Sequence, residues 1–112
     1  MGVWFLMNML SKYDERTQEA VKEFIDDFLN IFPGLLTEEE LLKRINDNLE
    51  TIDFEADLPS KTLGRYINKK ILVNKKVVNK SQTLFHEFIH VITYGEFLSN
   101  FGYKNFIEGL TT

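Results

Sequence analysis

"TLFHEFIHVITYG", residues 83–95, decides how this chain is read. It holds both histidines, His86 and His90, with Glu87 between them. The apolar residues around them, Leu84, Phe85, Phe88, Ile89, Val91 and Ile92, predict a helix anchored in a core. On an α-helix four residues turn through about 400°, so the two imidazoles leave one face about a turn apart. That spacing suits two nitrogen ligands of one tetrahedral metal ion. Glu87 stands about 100° round from His86, beside such a metal rather than on it, where a carboxylate can take a proton from activated water. A plain amphipathic helix would strand two imidazoles and a carboxylate among apolar neighbours, which is costly without partners. A metal supplies that partner, and zinc is the expected cofactor.

Working outward, Asn79 or Ser81 is placed to cap this helix and Gly95 to stop it, giving a span of about 81–94. Upstream, "GRYINKKILVN" reads as two short strands, one from Tyr66 and one over 71–73, joined by a polar turn at 68–70. In "TIDFEADL", Ile52, Phe54, Ala56 and Leu58 alternate with polar neighbours, the period of a half-buried strand. Before that the period is helical. Val21, Phe24, Ile25, Phe28, Leu29 and Phe32 line one face of a helix over 15–32, which Pro33 and Gly34 end. Thr37 and Glu40 form a capping box for a second helix with Leu41, Leu42, Ile45 and Leu49 inside. The opening "MGVWFLMNML", residues 1–10, is read as a core strand or as a segment covering a cleft. After Gly95 a turn at 100–102 leads to a last helix from about Tyr103.

These elements imply an α+β fold in one domain over residues 1–112: two N-terminal scaffold helices, a sheet of three or four strands, the HEFIH helix beneath it and a short C-terminal helix. With 44% hydrophobic and 27% charged residues, the composition is that of a globular chain rather than a disordered or fibrous one. The 10 phenylalanines point to an aromatic core or an apolar surface kept for a partner. Cysteine is absent, which excludes disulfides, thiolate catalysis and Cys-based zinc sites and leaves His, Asp and Glu as ligands. Fourteen acids fall in residues 14–57, whereas residues 58–80 carry seven Lys/Arg and no acid. This basic stretch is read as a solvated strand edge, and with a net charge of -4 no nucleic-acid partner is expected. The apolar start lacks a basic flank and is too short to span a bilayer, so no membrane partner and a cytoplasmic location are expected.

The third ligand separates the classes of zinc protein. No third histidine exists. A metzincin would need Gly at position 93 and His or Asp at 96, where this chain has Thr93 and Glu96. Glu96 stays a minor candidate. Glu108 in "NFIEGLTT", eighteen residues after His90 on a helix able to fold back, is the better one.

"TLFHEFIHVI" followed by "FIEGLT" resembles the gluzincin metallopeptidases, in which HExxH on one helix is completed by a glutamate on the next. In size the chain is similar to the minigluzincins, and the resemblance covers about residues 63–112. It implies His86, His90 and Glu108 as zinc ligands and Glu87 as general base and acid. It also implies a peptide or protein substrate lying along "KKILVN", near 71–74, as an added strand. The family often places an acid one turn after its ligand glutamate, and here that position is Thr112, so support for a ligand histidine is weak or comes from elsewhere. Tyr66, Tyr94, Tyr103 or Arg65 are the remaining donors for an oxyanion. Two other functions stay open: a catalytically weak interaction module, and a regulatory peptidase similar to those of phages and mobile elements.

Overall fold

The structure is a computed structural model and describes residues 8–94. Its class is mixed α+β, with a small three-stranded sheet.

Residues 8–10 are helical, which corrects the strand reading of this part of the opening segment, and Leu10 is buried. The first long helix, α1, spans Glu15–Ile31, with Asp14 as its cap, the carboxylate accepting from the Thr17 amide. Val21, Phe24, Ile25 and Phe28 are the buried apolar stripe of α1, as their spacing requires. Helix α2, Glu38–Asn48, begins with the reciprocal bonds of a capping box between Thr37 and Glu40. It buries Leu41, Leu42 and Ile45, and Leu49 caps its end.

Strand β1, Thr51–Ala56, alternates strictly between exposed and buried positions, with Ile52, Phe54 and Ala56 facing inward. Strands β2, Gly64–Ile67, and β3, Lys70–Asn74, form a hairpin whose two turn residues, Asn68 and Lys69, have φ of 52° and 62°. Positive φ at both central positions is the primed turn that matches strand twist. Pairing is Ile67 with Lys70 and Tyr66 with Ile71. The sheet order is β1-β3-β2, with β1 parallel and β2 antiparallel to β3. "KKILVN" is therefore the central strand, not the expected edge. Both of its sides are already hydrogen-bonded, so no peptide can add along 71–74.

The helix that carries both histidines, α3, spans Lys80–Ile92. Asn79 caps its start by accepting from the Gln82 amide. It ends earlier than the expected glycine stop: the Thr93 hydroxyl and amide both donate to the Ile89 carbonyl, at 2.7 and 3.1 Å. The Arg44 guanidinium donates to the Ile92 carbonyl at 2.9 Å, placing a cation where a helix end favours one. One face of the sheet packs on α3, and α1 and α2 close the other side of that helix. Phe88 and Ile89, fully buried, join Phe28, Leu41, Ile45, Ile71 and Val73 in one core. Phe24 stacks on Phe88 at 4.8 Å and is tilted against Phe85 at 5.2 Å, which spends several phenylalanines on interior packing. Phe85 itself is only partly buried. Among the described residues no helix is long and apolar enough to cross a membrane.

Candidate metal centre

Among the described residues the packing of α3 leaves a strip of the helix uncovered, and that strip carries the histidines. Ile89, Val91 and Ile92 hold the far face in the core while His86 and His90 stay partly exposed. Their Nε2 atoms converge to 3.3 Å. Two nitrogens about 2.0–2.1 Å from a tetrahedral zinc stand about 3.3–3.4 Å apart, so the pair already has the span of two ligands of one ion. The same distance suits a hydrogen bond between two neutral rings, one donating and one accepting. Either arrangement requires at least one unprotonated imidazole, and burial together with the neighbouring His86 holds the His90 pKa below its usual value.

Glu87 lies deeper, at 6% exposure. Among the described residues its carboxylate has no hydrogen-bond or ion-pair partner, and burial raises its pKa to about 7. The burial has a specific cause on the neighbouring strand. Gly64 of β2 passes so close to α3 that a Cβ built on it would lie 2.6 Å from Thr83 Cγ2 and 3.3 Å from Glu87 Cγ. Only glycine allows that approach, and it presses the strand edge over the glutamate. This residue escaped the sequence reading, although a glycine opening a short strand is a recognised sign of close backbone approach.

Two clefts of about 720 and 520 Å³ meet at Gly64, His86 and Glu87. The larger is walled by 61–64, 76–79 and the first turns of α3. The smaller runs past Arg65, Tyr66, His90 and Tyr94. Together they make a groove along β2, with the HEFIH motif at its middle. Among the described residues β2 has a neighbour on one side only, so its free edge replaces 71–74 as the place where an extended chain could pair. Asn74, 1% exposed at the end of β3, fixes the wall of the larger cleft. Its amide nitrogen lies 2.9–3.2 Å from the carbonyls of Leu58, Pro59 and Thr62.

The oxyanion candidates separate. Tyr66 spends its hydroxyl on the Asn48 carbonyl at 2.5 Å and meets the Tyr94 ring edge-on at 6.0 Å. Tyr94 and Arg65 line the smaller cleft with exposed side chains, and Tyr103 lies outside the described residues. Glu108 and Glu96 also lie outside them, as do residues 1–7 of the apolar opening segment. Among the described residues no group of three His, Cys, Asp or Glu gathers as a metal site. The described residues thus bring together two converging imidazoles with the largely buried Glu87 beside them.

No family model, curated protein or solved structure matches the chain.

Proposed function

We propose that the chain is a zinc-dependent metallopeptidase of gluzincin type, and the 3.3 Å convergence of the His86 and His90 Nε2 atoms carries the proposal. The donor set suits zinc: two imidazoles at the span of neighbouring ligands, with no thiolate in the chain. His86 and His90 would hold the ion, with Glu108 as third ligand and Glu96 as its rival. Zinc, when bound, supplies Lewis-acid polarisation of a peptide carbonyl and lowers the pKa of the attacking water. Glu87 takes a proton from that water and returns it to the leaving amine nitrogen as the peptide C–N bond breaks. In the metal-free chain burial raises the carboxyl pKa, and a cation held by the neighbouring histidines would oppose that rise and favour the carboxylate that accepts the proton. The free edge of β2 aligns the substrate, pairing main chain with main chain across the groove. Tyr94 and Arg65 are the available donors to the developing oxyanion.

Zinc content of protein purified without added metal tests the reading. About one equivalent, lost in His86→Ala and in His90→Ala, is the expected result; substoichiometric metal that zinc soaking does not restore would sink it. Glu87→Gln is expected to keep the metal and lose peptide hydrolysis, and unchanged turnover would remove Glu87 as the base. Glu108→Ala beside Glu96→Ala identifies the third ligand, as the variant that loses zinc.

A further inference from the structure

The groove has a charge pattern that the catalytic reading does not use. Among the described residues lining its two arms, Glu87 is the single carboxylate, while Lys61, Lys76 and Arg65 are exposed cations. No ion pair engages these three among the described residues, whereas Lys75, next in sequence to Lys76, is held by Asp57 at 3.6 Å. The basic run of residues 58–80, expected to be a solvated edge, therefore delivers free charge to the larger arm from two directions. Lys61 comes from the β1–β2 loop and Lys76 from the β3–α3 loop. The same arm has apolar lining. Leu63 is 59% exposed and Val78 99% exposed, and Val77, partly buried against the core, lines it as well. Large aliphatic side chains held at such exposure beside unpaired lysines favour a ligand that is both anionic and apolar.

We infer that the larger arm of the groove is a specificity site for an acidic-hydrophobic peptide segment, with an Asp or Glu of the ligand against Lys61 and Lys76 and its apolar neighbour on Leu63 and Val78. The inference rests on the peptidase reading for its consequence, since it names the substrates that Glu87 would meet. Lys76 holds its place because the Asn74 side-chain oxygen accepts from the Lys76 amide at 3.1 Å, and Lys61 belongs to the loop that the Asn74 amide nitrogen ties down. The site is thus built on ordered loops. A peptide fits it better than a nucleic acid does. The chain is net acidic at -4, with fourteen acids in residues 14–57, and this opposes a long polyanion while leaving a short acidic segment to feel the local lysines.

Binding to full-length Glu87→Gln protein tests this without turnover. The probes are two fluorescein-labelled decapeptides in an Ala/Ser background, one with two Glu beside two Leu and one with Lys in place of Glu. The acidic peptide is expected to bind about tenfold or more tightly than the basic one, with the advantage shrinking at high salt. Lys61→Glu with Lys76→Glu should reverse that order, while Lys22→Glu with Lys43→Glu, on α1 and α2, should preserve it. Circular dichroism of each variant confirms a folded chain before binding is read. Equal binding of the two peptides, no binding, a preference untouched by the groove reversal, or tighter binding of a twelve-residue oligothymidylate would overturn the inference. Zinc content and hydrolysis by the unsubstituted chain are measured separately. A chain that selects acidic peptides yet neither holds zinc nor cleaves them keeps this site and loses the peptidase.

Discussion

Gly64 and Glu87 are in a contact that only a missing side chain permits: a Cβ on Gly64 would stand 3.3 Å from Glu87 Cγ, and 2.6 Å from Thr83 Cγ2. The strand edge on which a peptide would lie and the carboxylate that would act on it are thereby held together by one glycine. Gly64→Ala is expected to push β2 off α3, lowering stability by about 1–3 kcal/mol and reducing hydrolysis more than zinc affinity. Thr83→Ser removes the offending methyl, so the double variant should recover part of both losses. Chemical denaturation, zinc titration and peptide turnover on the four proteins check this; equal loss of zinc affinity and turnover would show that the helix itself had been disrupted.

The buried, unpartnered Glu87 should cost the metal-free protein stability at neutral pH. Its folded-state pKa, about 7, lies above the ordinary carboxylate value of 4.5, so the protonated form is the one that folding favours. Its favourable contribution is present below pH 4.5 and is lost as pH rises through about 7. The depressed His90 pKa works in the opposite sense, with stability present above its usual value and lost as pH falls. The two overlap in the parent chain, and Glu87→Gln separates them. Metal-free Glu87→Gln is expected to gain on the order of 1 kcal/mol over the parent at pH 8 and little at pH 4. Urea denaturation of both proteins at the two pH values measures the difference, and a gain independent of pH would mean that packing rather than charge is responsible.

Much of this was legible in the sequence because its signals are local. The capping box of Thr37 and Glu40, the stripe from Val21 to Phe28 and the alternation of Ile52, Phe54 and Ala56 each specify an element through neighbours a few residues away. The convergence of His86 and His90 is likewise a property of one helix. Strand order is different. That β3 lies between β1 and β2 follows from which faces meet after the chain has crossed over, and Ile71 and Val73 read alike on an edge or in a centre. The groove was hidden for the same reason. Gly64, Lys61 and Lys76 are brought round Glu87 by two loops and a hairpin, a relation with no short sequence spacing.

The β2–β3 turn carries a residue poorly suited to its backbone. Lys69, at φ 62°, occupies the left-handed region that glycine enters without a Cβ penalty, and Asn68 at φ 52° tolerates it better. Asn-Gly is the preferred pair for such a turn. Lys69→Gly is therefore expected to stabilise the hairpin by about 0.5–1 kcal/mol, read as a higher urea midpoint with unchanged slope. Lys69→Val should do the reverse, and the same response to both would locate the effect outside the turn.

Tyr13 makes the alkaline limit of the fold testable. Its ring is buried against α2, where the hydroxyl donates to the Leu49 carbonyl at 2.7 Å, with the Ile45 carbonyl 3.3 Å away. Burial, and secondarily the Asp47 carboxylate, raise the phenol pKa well above its ordinary value of 10. A raised folded-state pKa means that this contribution is fully present below pH 10 and is lost as pH climbs above it, because the unfolded chain ionises first. Tyr13→Phe should cost about 1–2 kcal/mol at pH 7, since the Leu49 carbonyl loses its donor from this ring. The variant should then lack the share of alkaline destabilisation that Tyr13 causes, so the two denaturation curves draw together between pH 10 and 11.5. A constant gap across that range would show that the phenol is not buried and hydrogen-bonded in solution as it is here.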